Sequence, residues 1–358
     1  VTTTTEPRPA KQEQEDASTE VTEVAPGVLR TQLPISMPGL GHVNCYVLED
    51  DRGIAVVDPG LPGEESWAHL VDRLGRAGFA AADVHTVVVT HSHPDHFGGA
   101  MRLHHESGAD IVTHESFRTI FDMSELDDDE DSGSLDLNSP DDRDAAIERY
   151  FARPSPWGGR RAGPSKEFIA RMRKGGGESF GTPRPTKALV DGQTIRLARR
   201  EWVAMHTPGH TYDHLCLVDP EHGVVLTGDH VLPTITPHIS GLAPQADPLA
   251  LFFESLRRMA DIDDVTVALP AHGHPFVDLG GRAEHIIEHH EDRLDIIRTA
   301  QHDLPDGTVA DFMRVLFRER SWGEMAESET YAHLEHLREL GEVTRRTEDG
   351  FARYAPSD

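Results

Sequence analysis

Hydrophobic positions along the chain fall into short blocks separated by turn residues. VLRTQLP (28–34), VNCYVLED (43–50) and GIAVVDPG (53–60) read as strands. Trp67, Leu70, Val71 and Leu74 then recur at helical spacing, and AGF closes that helix near Phe79. TVVVT (86–90) is apolar throughout, as in a strand covered on both faces, and it runs into the polar cluster His91-Ser92-His93-Pro94-Asp95-His96. A helix over 97–106 and the strand DIVTH (110–114) come next. Beyond 187 the strand rhythm returns with DGQTIRLA, EWVAMHTPGH and HLCLVDPEHGVVLTGDH, the last turning at Glu221-His222-Gly223. DPLALFFESLRRMADI reads as a helix and VTVALPAHGH as a buried strand with a polar end. From Arg282 three helical stretches lead to GEVTRRTEDGFARYAP, a hairpin turning at Glu348-Asp349-Gly350, which together make a winged-helix-like module.

The organisation expected is therefore a polar, disordered tail over 1–24, a catalytic domain over 25–281 with an insertion at 115–187, and a helical module over 282–358. Within the insertion, residues 122–148 carry twelve acids and one base, and residues 149–187 carry ten bases and two acids. Arg160, Arg161, Lys166, Arg171, Arg173 and Lys174 read either as a basic lid or as a surface balanced by the acidic run before it.

Composition narrows the function. The net charge of −28 argues against general polyanion binding, and the 282–358 module, with ten bases and eighteen acids, makes a nucleic-acid partner improbable. No apolar run approaches the roughly 20 residues that span a bilayer, and the first residues carry no apolar leader segment. The two cysteines, Cys45 and Cys216, suit a reducing cytoplasm and have no motif partner for covalent catalysis.

The abundance of histidine, 23 residues, matters because of placement. His91, His93, Asp95 and His96 follow one apolar strand, His210 another, Asp229 a third and His272 a fourth. Imidazole and carboxylate suit zinc and its neighbours. Seven donors exceed one tetrahedral ion and suit two, with a carboxylate bridging.

The ordered motifs THSHPDH, TPGHT, TGDH and PAHGH resemble those of the metallo-β-lactamase superfamily, near its glyoxalase II and lactamase-like hydrolase branches. The resemblance covers roughly 25–281. It implies an α/β fold, a four-layer αββα sandwich, with the site at one edge. It also implies His91, His93 and His210 around a first metal, Asp95, His96 and His272 around a second, and Asp229 between them. The cofactors implied are two divalent ions, zinc first, with iron or manganese as alternatives. Metal-activated hydroxide would attack a carbonyl, and Asp95 would orient it as the catalytic carboxylate.

His42, Tyr212, His230 and His238 are expected to contact substrate. Asp58 reads equally as a buttress of the ligand loops or as a turn-capping residue, and His214 as a structural hydrogen-bonder. The expected activity is hydrolysis of a small thioester or ester of the acyl-glutathione or acyl-CoA type. Alternatives are nuclease, lactonase or β-lactamase activity, and homodimerisation through the C-terminal module is a further expectation.

Overall fold

Alternate side chains of a strand face opposite sides. A computed structural model, which describes residues 11–37, 39–119, 153–159, 161 and 182–357, shows where each side goes. The first sheet contains β1 (Thr22–Ala25), β2 (Val28–Met37), β3 (Leu40–Asp50), β4 (Gly53–Val57), β5 (Val84–Val88), β6 (Asp110–His114) and β7 (Lys187–Leu189), ordered as in the chain. The second contains β8 (Thr194–Leu197), β9 (Arg200–His206), β10 (Leu215–Asp219), β11 (Val224–Gly228) and β12 (Val267–Pro270), in spatial order β12-β11-β10-β9-β8.

Period-two alternation sorts their side chains into three cores. Val43, Cys45, Val47, Val56 and Val87 pack under α1 (Glu64–Arg76) and α3 (Ala100–Ser107) with Trp67, Leu70 and Leu103. The intervening Tyr46, Leu48, Val57 and Val88 meet Trp202, Leu215, Leu217 and Leu226 of the second sheet. Cys216, Val218, Val225 and Ala268 face away, onto α4 (Pro248–Ala260) and α5 (Leu279–Ala300). The result is four layers, helix–sheet–sheet–helix, as the sequence motifs imply.

Local signals fix the helix starts. α4 has Pro248 at its first position, where a missing N–H costs nothing, and the Asp247 carboxylate accepts from Ala250 N at 2.9 Å. Asp278 caps α5 through Gly281 N at 3.0 Å.

The last part of the chain adds α6 (Val309–Leu316), α7 (Glu324–Glu339) and a small sheet ordered β13-β15-β14 (Gly307–Thr308, Phe351–Pro356, Val343–Glu348). Phe312, Leu334, Leu337 and Tyr354 from these elements join the core that contains Phe252 and Cys216. The helical module thus shares its core with the second sheet.

Two expectations need amendment or fall outside the described residues. The tail is not disordered over 11–24. Gln12–Gln14 form a helical turn, β1 pairs with β2, and Glu13 is fully buried, accepting from Thr234 N at 2.8 Å and Ile235 N at 3.1 Å. Its docking uses polar and main-chain contacts, which leave no hydrophobic period to read. In the insertion, Arg160, Lys166, Arg171, Arg173 and Lys174 lie outside the described residues. Its 153–159 stretch is described: Trp157 is buried, donates to Glu327 Oε2 at 3.2 Å, and packs on Tyr331 at 5.2 Å between ring centroids.

Candidate metal centre

The donors arrive from strand ends, where rigid backbone gives way to loops. β5 delivers Thr90 and His91, and the turn α2 (Pro94–Phe97), with Pro94 at its first position, presents Asp95 and His96. The loop after β9 brings His210, the end of β11 Asp229 and the end of β12 His272. Gly209 precedes His210 with φ +144° and lies against α4, where a Cβ would come 2.4 Å from Phe252 Cβ.

Seven side chains converge. His93 Nδ1 lies 3.0 Å from His91 Nε2 and 3.1 Å from His210 Nε2. Nitrogens bound tetrahedrally at 2.0–2.1 Å to zinc would stand about 3.3 Å apart, close to this spacing. Asp229 Oδ2 lies 3.9 Å from His91 Nε2, 3.7 Å from His210 Nε2 and 3.6 Å from His96 Nε2. Its other oxygen is 3.3 Å from His272 Nε2, so the carboxylate stands between the two halves. Asp95 Oδ2 is 3.6 Å from both His96 Nε2 and His272 Nε2. Two groups result, His91/His93/His210/Asp229 and Asp95/His96/His272, each with donor atoms within 4.8 Å of one another.

The far sides of the rings are tied down. His96 Nδ1 donates to Asp58 Oδ2 at 2.9 Å, His210 Nδ1 to the His238 carbonyl at 2.8 Å, and His272 Nδ1 to the His42 carbonyl at 2.6 Å. Asp58 also accepts from Thr90 N and Thr90 Oγ1, at 2.9 and 2.8 Å. With its proton so placed, Thr90 Oγ1 accepts from His91 Nδ1 at 3.1 Å. One buried carboxylate therefore orients a ring of each group, which decides for the buttress reading of Asp58. These bonds fix protons on the outer nitrogens and aim the Nε2 atoms inward.

Those inward atoms make the fit to cations testable. His96 Nε2, His272 Nε2 and Asp229 Oδ1 are buried with no hydrogen-bond partner, an arrangement that ordinarily costs free energy. Charge agrees. Burial, helped by neighbouring imidazoles, holds His91 and His93 well below the usual histidine range, and burial depresses His210 as well, so all three are neutral donors. At His96 and His272 burial is outweighed by Asp95 and Asp229, which draw protons onto those rings. Burial likewise fails to lift Asp229, whose carboxyl is held far down by His272 and His96. The second group thus gathers positive charge even as protons, and cations there would displace them.

The four expected substrate contacts separate. His42 is fully buried: Nδ1 donates to Glu15 O at 2.8 Å, and Nε2 accepts from Gly273 N at 3.1 Å. His230 is also fully buried, edge-on to Phe252 at 5.0 Å between ring centroids, and burial lowers its pKa to about 3. Both correct the sequence reading, because neither ring is open to a ligand. His238 is part-buried, its Nδ1 3.4 Å from Glu329 Oε2 of α7. Tyr212 is 41% exposed, beside the His206 ring. His214 is structural: it accepts from Asp229 N at 3.0 Å and bonds Thr207 Oγ1 at 2.8 Å. Asp213 is buried, accepts from Ser92 Oγ at 3.1 Å, and has its pKa raised to about 6 by burial.

Sequence reasoning missed Thr90, whose hydroxyl reads as one more strand residue, and Glu13, which has no motif. His290, Glu329 and His333 form a further cluster with donor atoms within 4.8 Å, but His290 and His333 bond each other at 3.0 Å and Arg293 pairs with Glu329. These contacts tie the three side chains together, while His290 Nε2 stays buried without a hydrogen-bond partner. Among the described residues no helix is long and apolar enough to cross a membrane.

Comparison with known proteins bears on the fold and the family. The chain is 28% identical to a beta-lactamase domain protein of Burkholderia ambifaria, covering 96% of this chain and 95% of that one, with a TM-score of 0.75. It is 27% identical over 255 residues to a lactamase-like protein of Aspergillus niger, covering 71% of this chain and 57% of that relative. The chain thus spans little more than half of that curated relative's length. An atrochrysone carboxyl ACP thioesterase of Paecilomyces divaricatus is 30% identical over 137 residues, 36% of this chain and 41% of its own. The family model for the metallo-beta-lactamase superfamily matches residues 38–272, more than half of the chain and all seven converging donors. With that match and the fold, this chain belongs to the metallo-beta-lactamase superfamily.

Proposed function

We propose that the chain hydrolyses a thioester, with His91, His93 and His210 holding one divalent ion, Asp95, His96 and His272 a second, and Asp229 shared. Zinc is the first choice for these donors, and iron or manganese are the alternatives a nitrogen–oxygen set admits. The carrying observation is the set of three buried, unpartnered donor atoms, His96 Nε2, His272 Nε2 and Asp229 Oδ1, aimed into one polar centre. When bound, such ions supply acidified water and polarisation of a carbonyl oxygen.

The chain's own residues do the rest. Asp95, 2% exposed, orients the attacking water and takes its proton at the carboxylate. Asp58 holds His96 directly and His91 through Thr90, aiming their Nε2 atoms into the centre. Neither thiol can serve as nucleophile: both are fully buried, and burial pushes Cys216 up to about 12 and Cys45 further.

Support for a thioester comes from the ACP thioesterase among the relatives, which makes an acyl group on a pantetheine-type carrier the first substrate to try. The test is metal-quantified protein against acyl-carrier protein, acyl-CoA, acyl-glutathione, a simple ester, a lactone, a β-lactam and single-stranded RNA. Chelator-sensitive turnover fastest on a thioester supports the reading. Turnover confined to RNA or β-lactam overturns it.

A further inference from the structure

His272 is held by a main-chain support that is itself clamped. Its Nδ1 donates not to a side chain but to the main-chain carbonyl of His42, at 2.6 Å. His42 is itself gripped from both sides, donating from Nδ1 to the carbonyl of Glu15 and accepting at Nε2 from Gly273 N. Gly41 permits the approach, since a Cβ there would lie 2.2 Å from Glu15 O. The same short segment reaches the ligand loop twice more. Gln12 Oε1 accepts from His274 N at 3.1 Å, and Glu15 Oε2 lies 2.8 Å from His274 Nε2. Glu13 anchors it, fully buried, against Thr234 and Ile235, a few residues beyond Asp229.

We propose that Gln12–Glu15 form a clamp which, through His42, positions His272 and thereby sets the affinity of the Asp95/His96/His272 group alone. The clamp lies ahead of the matched family region, which begins at residue 38. It is built by polar contacts between distant parts of the chain. Gln12 and Glu15 bond the His272 side of the centre and Glu13 anchors them on the loop after β11, whereas the outer nitrogens of His91 and His210 rest on Thr90 and the His238 carbonyl. The clamp residues touch no substrate in this scheme; they position a donor.

The proposal rests on the two-ion reading, so the experiment first establishes that the full parent chain takes up two zinc equivalents. Stepwise chelator competition then gives each equivalent its affinity in the parent, in Glu13→Ala, in Glu13→Gln and in a chain lacking residues 1–15. Removing a buried bond that orients a ligand commonly costs about 10–100-fold in metal affinity. Glu13→Ala should therefore weaken the second equivalent at least about tenfold and leave the first unchanged, and the shortened chain should do the same or more. Glu13→Gln should stay near parental values. Its oxygen can still accept from Thr234 N and Ile235 N, and its amide can donate to Thr234 Oγ1. General loss of stability would weaken both equivalents together and would not be rescued by glutamine, so parallel weakening overturns the clamp. Unchanged affinities in Glu13→Ala and the shortened chain overturn it too. A parent that binds fewer than two equivalents defeats the two-ion reading itself, and the clamp with it.

Discussion

Replacing Asp58 by Asn tests the organisation of the centre with little disturbance elsewhere. Asp58 sits at φ +54°, a conformation that Asn tolerates as well as Asp, so the backbone need not move. Oδ1 of the variant still accepts from Thr90 N. The new amide, however, places N–H where Oδ2 accepted from His96 Nδ1 at 2.9 Å, and two donors face each other. Relief comes if the imidazole moves its proton to Nε2, which removes the inward lone pair, or if the ring swings away. The Thr90 hydroxyl, which also donates to Oδ2, can turn and accept from the new amide, so the bond lost without replacement is the charge-assisted one from His96, worth about 1.5–3 kcal/mol. At about 1.4 kcal/mol per decade, that is roughly a 10–100-fold fall in affinity at the Asp95/His96/His272 group. His91 should suffer less, because Thr90 can still accept its proton. Zinc titration against a competing chelator, reading both equivalents, is the assay. Asp58→Asn binding its second equivalent as tightly as the parent would refute the idea that this carboxylate fixes the His96 tautomer.

Asp95→Asn should lower kcat by at least about a hundredfold, the usual scale of a general acid–base contribution, with metal content measured alongside; near-normal turnover at full loading would reduce Asp95 to a scaffold. Asp213→Asn should stabilise the fold at neutral pH by up to about 3 kcal/mol. Burial raises the Asp213 pKa to about 6 from 3.8, so the native aspartate destabilises above that range and ceases to do so as pH falls towards 4. Denaturant melts of both proteins from pH 4 to 8 would show the gap opening with pH, and a constant gap would contradict it. Gly209→Ala should cost about 2–4 kcal/mol in the same melts, because strain at positive φ adds to the clash with Phe252; unchanged stability would show that α4 yields.

The converging donors are more legible in the sequence than their supports, and the reason is chemical. His91, His93, Asp95, His96, His210, Asp229 and His272 act through side chains, so residue type at a strand end announces them. Their supports act partly through main chain. His42 and His238 both look like substrate contacts because they are histidines near the motifs; what the fold adds is that each lends a carbonyl to a ring of the donor cluster, a role any residue can fill. His230 looked equivalent to His238, and only tertiary packing against Phe252 separates the two. Asp58 was partly legible, since DPG after an apolar strand marks a special turn, but its reach to Thr90 and His96 depends on how β4 lies beside β5. The layered fold emerged from period-two alternation. The docking of residues 11–24 did not, because nothing periodic marks a segment held by a buried glutamate and backbone contacts.

The common core of the second sheet and the last helices bears on how such a chain can be divided. Residues 38–272 contain all seven converging donors, and it is tempting to regard the remainder, from Gly273 onward, as detachable cargo. Cutting there would strip Leu279, Ile286, Leu294, Phe312 and Leu337 from Phe252, Val218 and Val225. Each large apolar side chain left open forfeits about 1.5–3 kcal/mol, so a few of them exceed the whole margin of an ordinary fold. The terminal helices and the sheet therefore inherit one another's substitutions: a change of volume on either side must be answered on the other. Transplanting the catalytic part into another protein, or exchanging its tail for that of a relative, means carrying the matching half of that contact as well.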